Sequence, residues 1–220
     1  MFLSSPAEEN YLKTIFKLSG KERKSVSTNA IADELQTKAS SVSDMLKKLA
    51  EKNLVDYIKY QGVTLTKSGL SIAIHIVRKH RLWEVFLVNS LHFKWDEVHE
   101  IAEQLEHIKS PELVARLDVF LNHPNYDPHG DPIPNEKGEF PITSAVPLNQ
   151  LKVHAKGKVV AVDLDEPSFL NYLDKLNVSI GTLIEIIELN DFDNSIDILI
   201  NSTKRHISTD VAKNILISLL

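Results

Sequence analysis

The sequence predicts a mainly α N-terminal part followed by a small β-barrel. Three observations lead there. Apolar residues recur at helical spacing through most of positions 1–121. The segment NHPNYDPHGDPIPNEKGEFP (122–141) then holds five of the nine prolines, which forbids regular structure and marks a linker or boundary. Beyond it the texture changes to short strand-like runs separated by turn residues.

SPAEENYLKTIFKLSG places apolar residues at 11, 12, 15, 16 and 18, one helical face that closes at Gly20. VSTNAIADELQ offers Ser27 as an N-cap, with Ile31, Ala32 and Leu35 as the buried side. In KASSVSDMLKKLAEKNL, Val42, Met45, Leu46 and Leu49 recur at one helical face, leaving Ser40, Ser43, Asp44 and Lys47 on the opposite surface. The short gap between these last two helices is the spacing of a helix-turn-helix. LVDYIKYQGVTLT then alternates around Tyr60-Gln61-Gly62, a short hairpin or wing. Three helices and a two-stranded wing make a winged helix.

From Thr66, TKSGLSIAIHIVRKHRLWEVFLVNSL reads as one long helix, and 95–108 and 111–121 supply two more. After the prolines, KVVAVDL, TLIEIIEL and SIDILIN read as strands, with SFLNYLDKLN a short helix between them. A domain of that size and texture is a small barrel with little room for a catalytic cleft of its own. The expected division is 1–65 winged helix-turn-helix, 66–122 helical, 123–147 Pro-rich linker and 148–220 barrel.

Composition narrows the function. The chain has no cysteine, which removes disulfides, thiolate nucleophiles and thiolate metal sites together. It has no apolar run long enough to span a membrane, and MFLSSPAEENYLK lacks the basic start and apolar stretch of a secretory signal, so a cytoplasmic location is expected. Residues 1–81 hold 14 Lys and Arg against 8 Asp and Glu, a surplus of six positive charges, whereas the remainder holds 11 against 22. A basic N-terminal module facing an anion, attached to an acidic body, is the simplest reading.

The chemistry sits in VHEIAEQLEHIKS (98–110). On a helical wheel with His99 at the origin, Glu103 falls at roughly 40°, Glu106 at roughly 340° and His107 at roughly 80°. Four potential ligands therefore share one edge of the apolar face, where carboxylates and imidazoles are costly without a cation to neutralise them. The preceding long helix adds His80 and Glu84, one turn apart on one face. Such a set resembles a metal site, and its oxygen and imidazole donors suit Mn²⁺, Fe²⁺, Co²⁺ or Zn²⁺. The plainer alternative is a structural His/Glu cluster in a metal-independent winged-helix regulator.

Enzyme readings fail on spacing. HEIAE begins like the zincin H-E-x-x-H helix but has Glu103 where the second His is needed. Neither helix has the Glu-x-x-His of di-iron bundles, and no G-x-S-x-G or P-loop occurs. A metal buffer without a DNA role would leave the basic N-terminal segment unexplained. His123, Asp127, His129 and Asp131 of the Pro-rich segment are read as loop polarity.

EENYLKTIFKL, IADELQTKASSVSDMLKKL, LTKSG, RKHRLWEVFL, VHEIAEQLEHIKS and GDPIP, in this order, resemble the diphtheria-toxin-repressor and manganese-transport-regulator (DtxR/MntR) family of metal-activated repressors. The resemblance runs over essentially the whole chain, and the C-terminal part resembles the FeoA-like, Src-homology-3-like barrel of longer members. It implies an activating metal site at Glu106 and His107, joined by Glu103 and Asn10. It implies an ancillary site at His80, Glu84 and His99, to which the barrel adds a carboxylate, Asp163 with Asp165 close behind. Glu103 stands where iron-sensing members carry Cys, which favours Mn²⁺ over Fe²⁺, with Co²⁺ or Zn²⁺ able to substitute. Lys13 stands where two-metal manganese regulators carry Glu.

The resemblance further implies a homodimer built from the middle helices, binding double-stranded operator DNA and neither a membrane nor a small organic substrate. Each third helix would enter a major groove. Ser40, Ser41, Ser43 and Lys47 would then face the DNA, with Lys59, Tyr60 and Gln61 of the wing near the backbone.

Overall fold

The computed structural model describes residues 4–20, 22–142 and 144–220, and the chain divides into two compact units. The first comprises the chain up to His80, with Leu105–Ser110 and Pro134–Glu139. The second comprises Arg81–Gln104, Pro111–Ile133 and Phe140–Leu220.

In the first unit, α1 (Pro6–Ser19) starts at a capping box. The Ser5 hydroxyl accepts from the Glu8 N–H at 3.3 Å, and the Glu8 carboxylate accepts from the Ser5 N–H at 3.0 Å. Gly20, at φ 62°, ends the helix. The Ser27 side chain caps α2 (Thr28–Glu34), and Gln36 at φ 47° turns the chain into α3 (Ala39–Glu51). β1 (Val55–Ile58) and β2 (Gly62–Leu65) pair antiparallel, with Ile58 opposite Gly62, so residues 59–61 form the wing tip. A Cβ on Gly62, at φ 101°, would lie 2.6 Å from the Val26 carbonyl oxygen, so a side chain there would push the wing off that segment. Leu12, Ile15, Ile31, Val42, Leu46, Leu49, Val55 and Val63 are buried together and unite three helices and wing around one core. Each such side chain is worth about 1.5–3 kcal/mol of burial.

α4 (Lys67–Leu91) is continuous; its residues up to His80 belong to the first unit and the rest to the second. The helix expected over 95–108 is shorter than the spacing suggests: α5 spans His99–Leu105 only. There the chain turns, with the Ile108 N–H donating to the Leu105 carbonyl at 3.1 Å. Glu106 and His107 thus leave the helical wheel, because tertiary contacts to a buried carboxylate outweigh a weak helical preference. α6 (Pro111–Phe120) follows.

The second unit also holds six antiparallel strands in the order β3-β8-β4-β5-β6-β7. They are β3 (Val146–Pro147), β4 (Lys156–Val162), β5 (Leu183–Leu189), β6 (Ile196–Ile200), β7 (Thr203–Ile207) and β8 (Ile215–Leu219). α7 (Pro167–Leu176) follows β4, and α8 (Thr209–Ala212) precedes β8. Val159, Leu170, Leu173, Ile186, Ile198, Ile215 and Ile217 lie at the centre of the core. The strand set of a small barrel is present, but β3 and β7 are edges and the sheet does not close.

One irregularity bears on function. The β4–β8 register slips between Val159 and Ala161. At that bulge the Pro-rich loop docks: the Val162 N–H donates to the His129 carbonyl at 2.9 Å. Gly130 sits at φ 87°, and a Cβ there would lie 2.0 Å from the Val160 carbonyl oxygen.

Candidate metal centres

Among the described residues, each unit holds a gathering of charged side chains that bears on metal binding. In the first unit, Glu106 is fully buried, and its carboxylate faces His80, whose Nδ1 donates to Oε2 at 2.6 Å. The Lys13 ammonium of α1 straddles the same carboxylate, 2.7 Å from Oε1 and 2.8 Å from Oε2. The His107 Nδ1 donates to Glu9 Oε2 at 2.7 Å, and Glu9 Oε1 accepts from the Ser4 hydroxyl at 2.7 Å. That bond fixes the imidazole so that Nε2, 3.9 Å from Glu106 Oε1, is the atom able to take a metal. Asn10 contributes a buried Oδ1 with no hydrogen-bond partner. An orphaned acceptor, a buried carboxylate and an oriented imidazole are a hard-to-borderline donor set and fit a divalent ion. Lys13, an ammonium in direct contact with the carboxylate, does not belong to such a set.

In the second unit, Glu84, Asp127 and His129 are all buried and bring ligand atoms within 4.8 Å of one another. His99 Nδ1 lies 3.6 Å from Glu84 Oε1 and 3.3 Å from Asp165 Oδ2, while its Nε2 lies 3.6 Å from Glu103 Oε1. The His129 Nε2 donates to the Trp95 carbonyl at 2.8 Å and its ring stacks on Trp95, which leaves Nδ1 facing Glu84 Oε2 at 3.7 Å. Asp127 Oδ1 accepts from the His129 N–H at 2.8 Å and the Asp131 N–H at 3.0 Å, a local loop lock. Arg81 holds the loop from the other side, donating to Asp131 at 2.7 Å and to the Pro132 carbonyl at 2.6 Å.

Electrostatics in this second cluster report an excess of negative charge. Burial, then the Glu84 and Asp131 carboxylates, push the Asp127 carboxyl up to about 7. Burial opposes a charge on His129, yet Glu84 and Asp127 outweigh it and lift the imidazole to about 9. In the apo protein a proton supplies the missing positive charge; a divalent ion would supply more of it, and its binding would release protons. These donors also fit.

The expected residues belong to both units. His80, Glu106, His107 and Asn10 fall in the first unit; Glu84, His99 and Glu103 fall in the second, with the Glu103 side chain 43% exposed. The carboxylate 3.3 Å from His99 is that of Asp165; Asp163 is exposed and its N–H donates to the Asn214 carbonyl. Three residues escaped the sequence reading. Glu9 is one of two acidic residues in the first turn of α1 and carries no signal of its own, and Asp127 and His129, read as loop polarity, are buried. The signal available for the last two was a D-P-H-G motif tight enough to pin its own loop.

On the winged helix, Ser40, Ser41 and Lys47 are exposed, and Lys47 pairs with Asp44 at 3.0 Å. Ser43 is half-buried, its hydroxyl bonding the Ala39 carbonyl at 3.0 Å. At the wing tip Lys59 and Gln61 are exposed and Tyr60 is 92% exposed, with the Lys59 ammonium 5.0 Å from the Tyr60 ring centroid.

Comparison with known proteins places this arrangement. Residues 4–63 match the iron-dependent repressor N-terminal DNA-binding domain, 66–135 the iron-dependent repressor metal-binding and dimerisation domain, and 146–219 the FeoA domain. The iron-dependent repressor IdeR of Mycobacterium leprae is 34% identical over 158 residues, covering 70% of this chain and 68% of that protein. A solved manganese-dependent transcriptional repressor in complex with manganese is 36% identical, with a TM-score of 0.88, over 97% of this chain and 100% of that one. A probable metal transport system membrane protein of Chlamydia trachomatis is 45% identical over 86 residues, but the matched segment spans only 19% of its length. Among the described residues no helix is long and apolar enough to cross a membrane.

Proposed function

Because the chain belongs to the DtxR/MntR family of metal-dependent, DNA-binding repressors, we propose that it is a Mn²⁺- or Fe²⁺-activated repressor that binds operator DNA as a homodimer in the cytoplasm, with metal-uptake genes as its targets. Mn²⁺ is favoured because every candidate donor is oxygen or imidazole nitrogen and the chain has no cysteine. The observation that carries the reading is the buried cluster of Glu84, Asp127 and His129, whose crowded carboxylates call for a cation.

Glu106, His107 and Asn10 would hold an ion in the first unit, and Glu84, Asp127, His129, His99 and Asp165 would hold one in the second. Glu9 orients His107, Trp95 orients His129, and Gly130 seats the loop on β4. An ion at the first site supplies positive charge between α1, part of the DNA-binding module, and the turn after α5. If that charge favours the DNA-competent arrangement, DNA must tighten metal by the same factor. A coupling of about 1–3 kcal/mol gives a switch of roughly 5–150-fold. Ser40, Ser41, Ser43 and Lys47 would line the major-groove face, and Lys59, Tyr60 and Gln61 would approach the phosphates.

Fluorescence anisotropy on the protein's own upstream DNA tests this. The metal-stripped protein should bind weakly, and anaerobic Mn²⁺ or Fe²⁺ should restore binding. Equal affinity with and without chelator would refute metal activation. Glu106→Gln with His107→Ala should abolish the metal response and leave the dimer intact by sedimentation.

A further inference from the structure

We infer that Lys13 is a built-in competitor for the first metal site: its ammonium holds the Glu106 carboxylate in the metal-free protein, and a divalent ion enters there only by displacing it. This rests on the metal-responsive reading above, but concerns which group sets the affinity of one site.

The geometry is that of a chelated cation. Lys13 Nζ lies 2.7 and 2.8 Å from the two oxygens of a carboxylate that is fully buried. Its own side chain is 16% exposed, so water screens the contact poorly. α1 thereby reaches the Leu105–Ser110 segment through an intramolecular cation, spanning the same two elements that Asn10 and Glu106 would join through a metal. An ion cannot share both Glu106 oxygens with an ammonium at these distances.

Charge around the site is already balanced. Glu9 faces His107 and the Ser4 hydroxyl, and Glu106 faces His80 and Lys13. Two further ammonium groups stand nearby. Lys109 donates to the Ser4 carbonyl at 2.8 Å. Lys79 stands close enough for Glu9 and Glu106 to act on its charge. Two carboxylates among three lysines and two histidines leave little net negative charge to attract a divalent ion. Around Glu84, Asp127 and His129 the balance is the opposite: the Asp131 and Asp165 carboxylates join the two buried ones, against one guanidinium, Arg81, 3.5 Å from Asp127, and the imidazoles of His99 and His129. Ions should therefore fill the second cluster at lower concentration than the first, and Lys13 sets the gap.

Equilibrium Mn²⁺ binding to the metal-stripped full chain, with free ion read from its electron paramagnetic resonance signal, tests this. Lys13→Gln and Lys13→Met should tighten by at least about tenfold the class of sites that His107→Ala abolishes, since one unit charge no longer opposes the ion in a partly buried site. The class that Asp127→Asn abolishes should be unchanged. A second measurement needs no variant: mass-spectrometric mapping of reductive methylation should show Lys13 protected without Mn²⁺ and reactive at saturating Mn²⁺. Unchanged or weakened binding in both variants, or a Lys13 methylation rate indifferent to Mn²⁺, overturns the proposal while leaving metal regulation standing. No Mn²⁺ bound by wild type or either variant overturns both.

Discussion

Replacing Gly130 by Ala tests whether the loop that carries Asp127 and His129 is held where the second centre needs it. The new Cβ would stand 2.0 Å from the Val160 carbonyl oxygen, 2.4 Å from the Ala161 Cα and 2.7 Å from its Cβ, all atoms of β4 that cannot swing aside. The φ of 87° adds a conformation that L residues rarely adopt. Strain at such a backbone position costs about 1–3 kcal/mol, and relieving the overlap costs about another 1–3 kcal/mol. The expected loss is thus about 2–6 kcal/mol if the loop stays docked. For a domain of this size that lowers the unfolding midpoint by on the order of 10 °C or more. Undocking the loop is the other escape, and it removes Asp127 and His129 from Glu84. Calorimetric melting and Mn²⁺ titration read the two escapes separately. A variant that melts within about 0.5 kcal/mol of wild type and binds Mn²⁺ equally well would show that the docked loop is not what builds this centre.

Three further outcomes follow from the geometry. Asp165→Asn should weaken Mn²⁺ binding by about 10–100-fold, whereas Asp163→Asn should not, because it is Asp165 that lies 3.3 Å from His99 Nδ1; calorimetric titration of both variants decides it. Lys59→Ala at the wing should leave folding stability within about 0.5 kcal/mol but reduce the slope of log K against log salt for DNA binding by about one; an unchanged slope removes Lys59 from the phosphate contacts. Mn²⁺ at a hundredfold excess over its dissociation constant should stabilise the fold by about 2.7 kcal/mol relative to chelated protein, and superimposable melting curves with and without chelator would mean that the folded chain gains nothing from the ion.

Much of the fold was legible because its periodicity is local. Val42, Met45, Leu46 and Leu49 mark one helical face in the sequence, and the chain buries Val42, Leu46 and Leu49 with Met45 packed at the edge. Ser27 before an apolar run announces α2, and its hydroxyl accepts the Ala30 N–H at 3.1 Å. What the pattern could not reveal was α5 ending at Leu105. VHEIAEQLEH has helical spacing throughout, and only the long-range pull of Lys13 and His80 on Glu106 explains why the last turn unwinds. Strands β7 and β8 were missed for a related reason. TKRHI shows one buried residue in five, and the β8 run lies after a four-residue helix that interrupts the expected rhythm.

The site was legible only where its residues share an element. His99 with Glu103, and Glu106 with His107, stand out because spacing along one segment can be counted. The residues that set the charge balance come from elsewhere: Lys13 and Glu9 from α1, Asp127 and His129 from a Pro-rich loop. A carboxylate beside imidazoles looks identical in sequence whether its neutralising charge is a metal, a proton or a lysine. Burial decides among them, because each buried anion must find a cation within a few ångströms. Glu106 finds an ammonium; Glu84 finds the imidazoles of His99 and His129, and Asp127 beside it finds the Arg81 guanidinium at 3.5 Å, which Asp131 shares. The two centres therefore differ in how far their carboxylates outnumber the cations they already possess, and the one with the larger excess is the better place for metal to bind first.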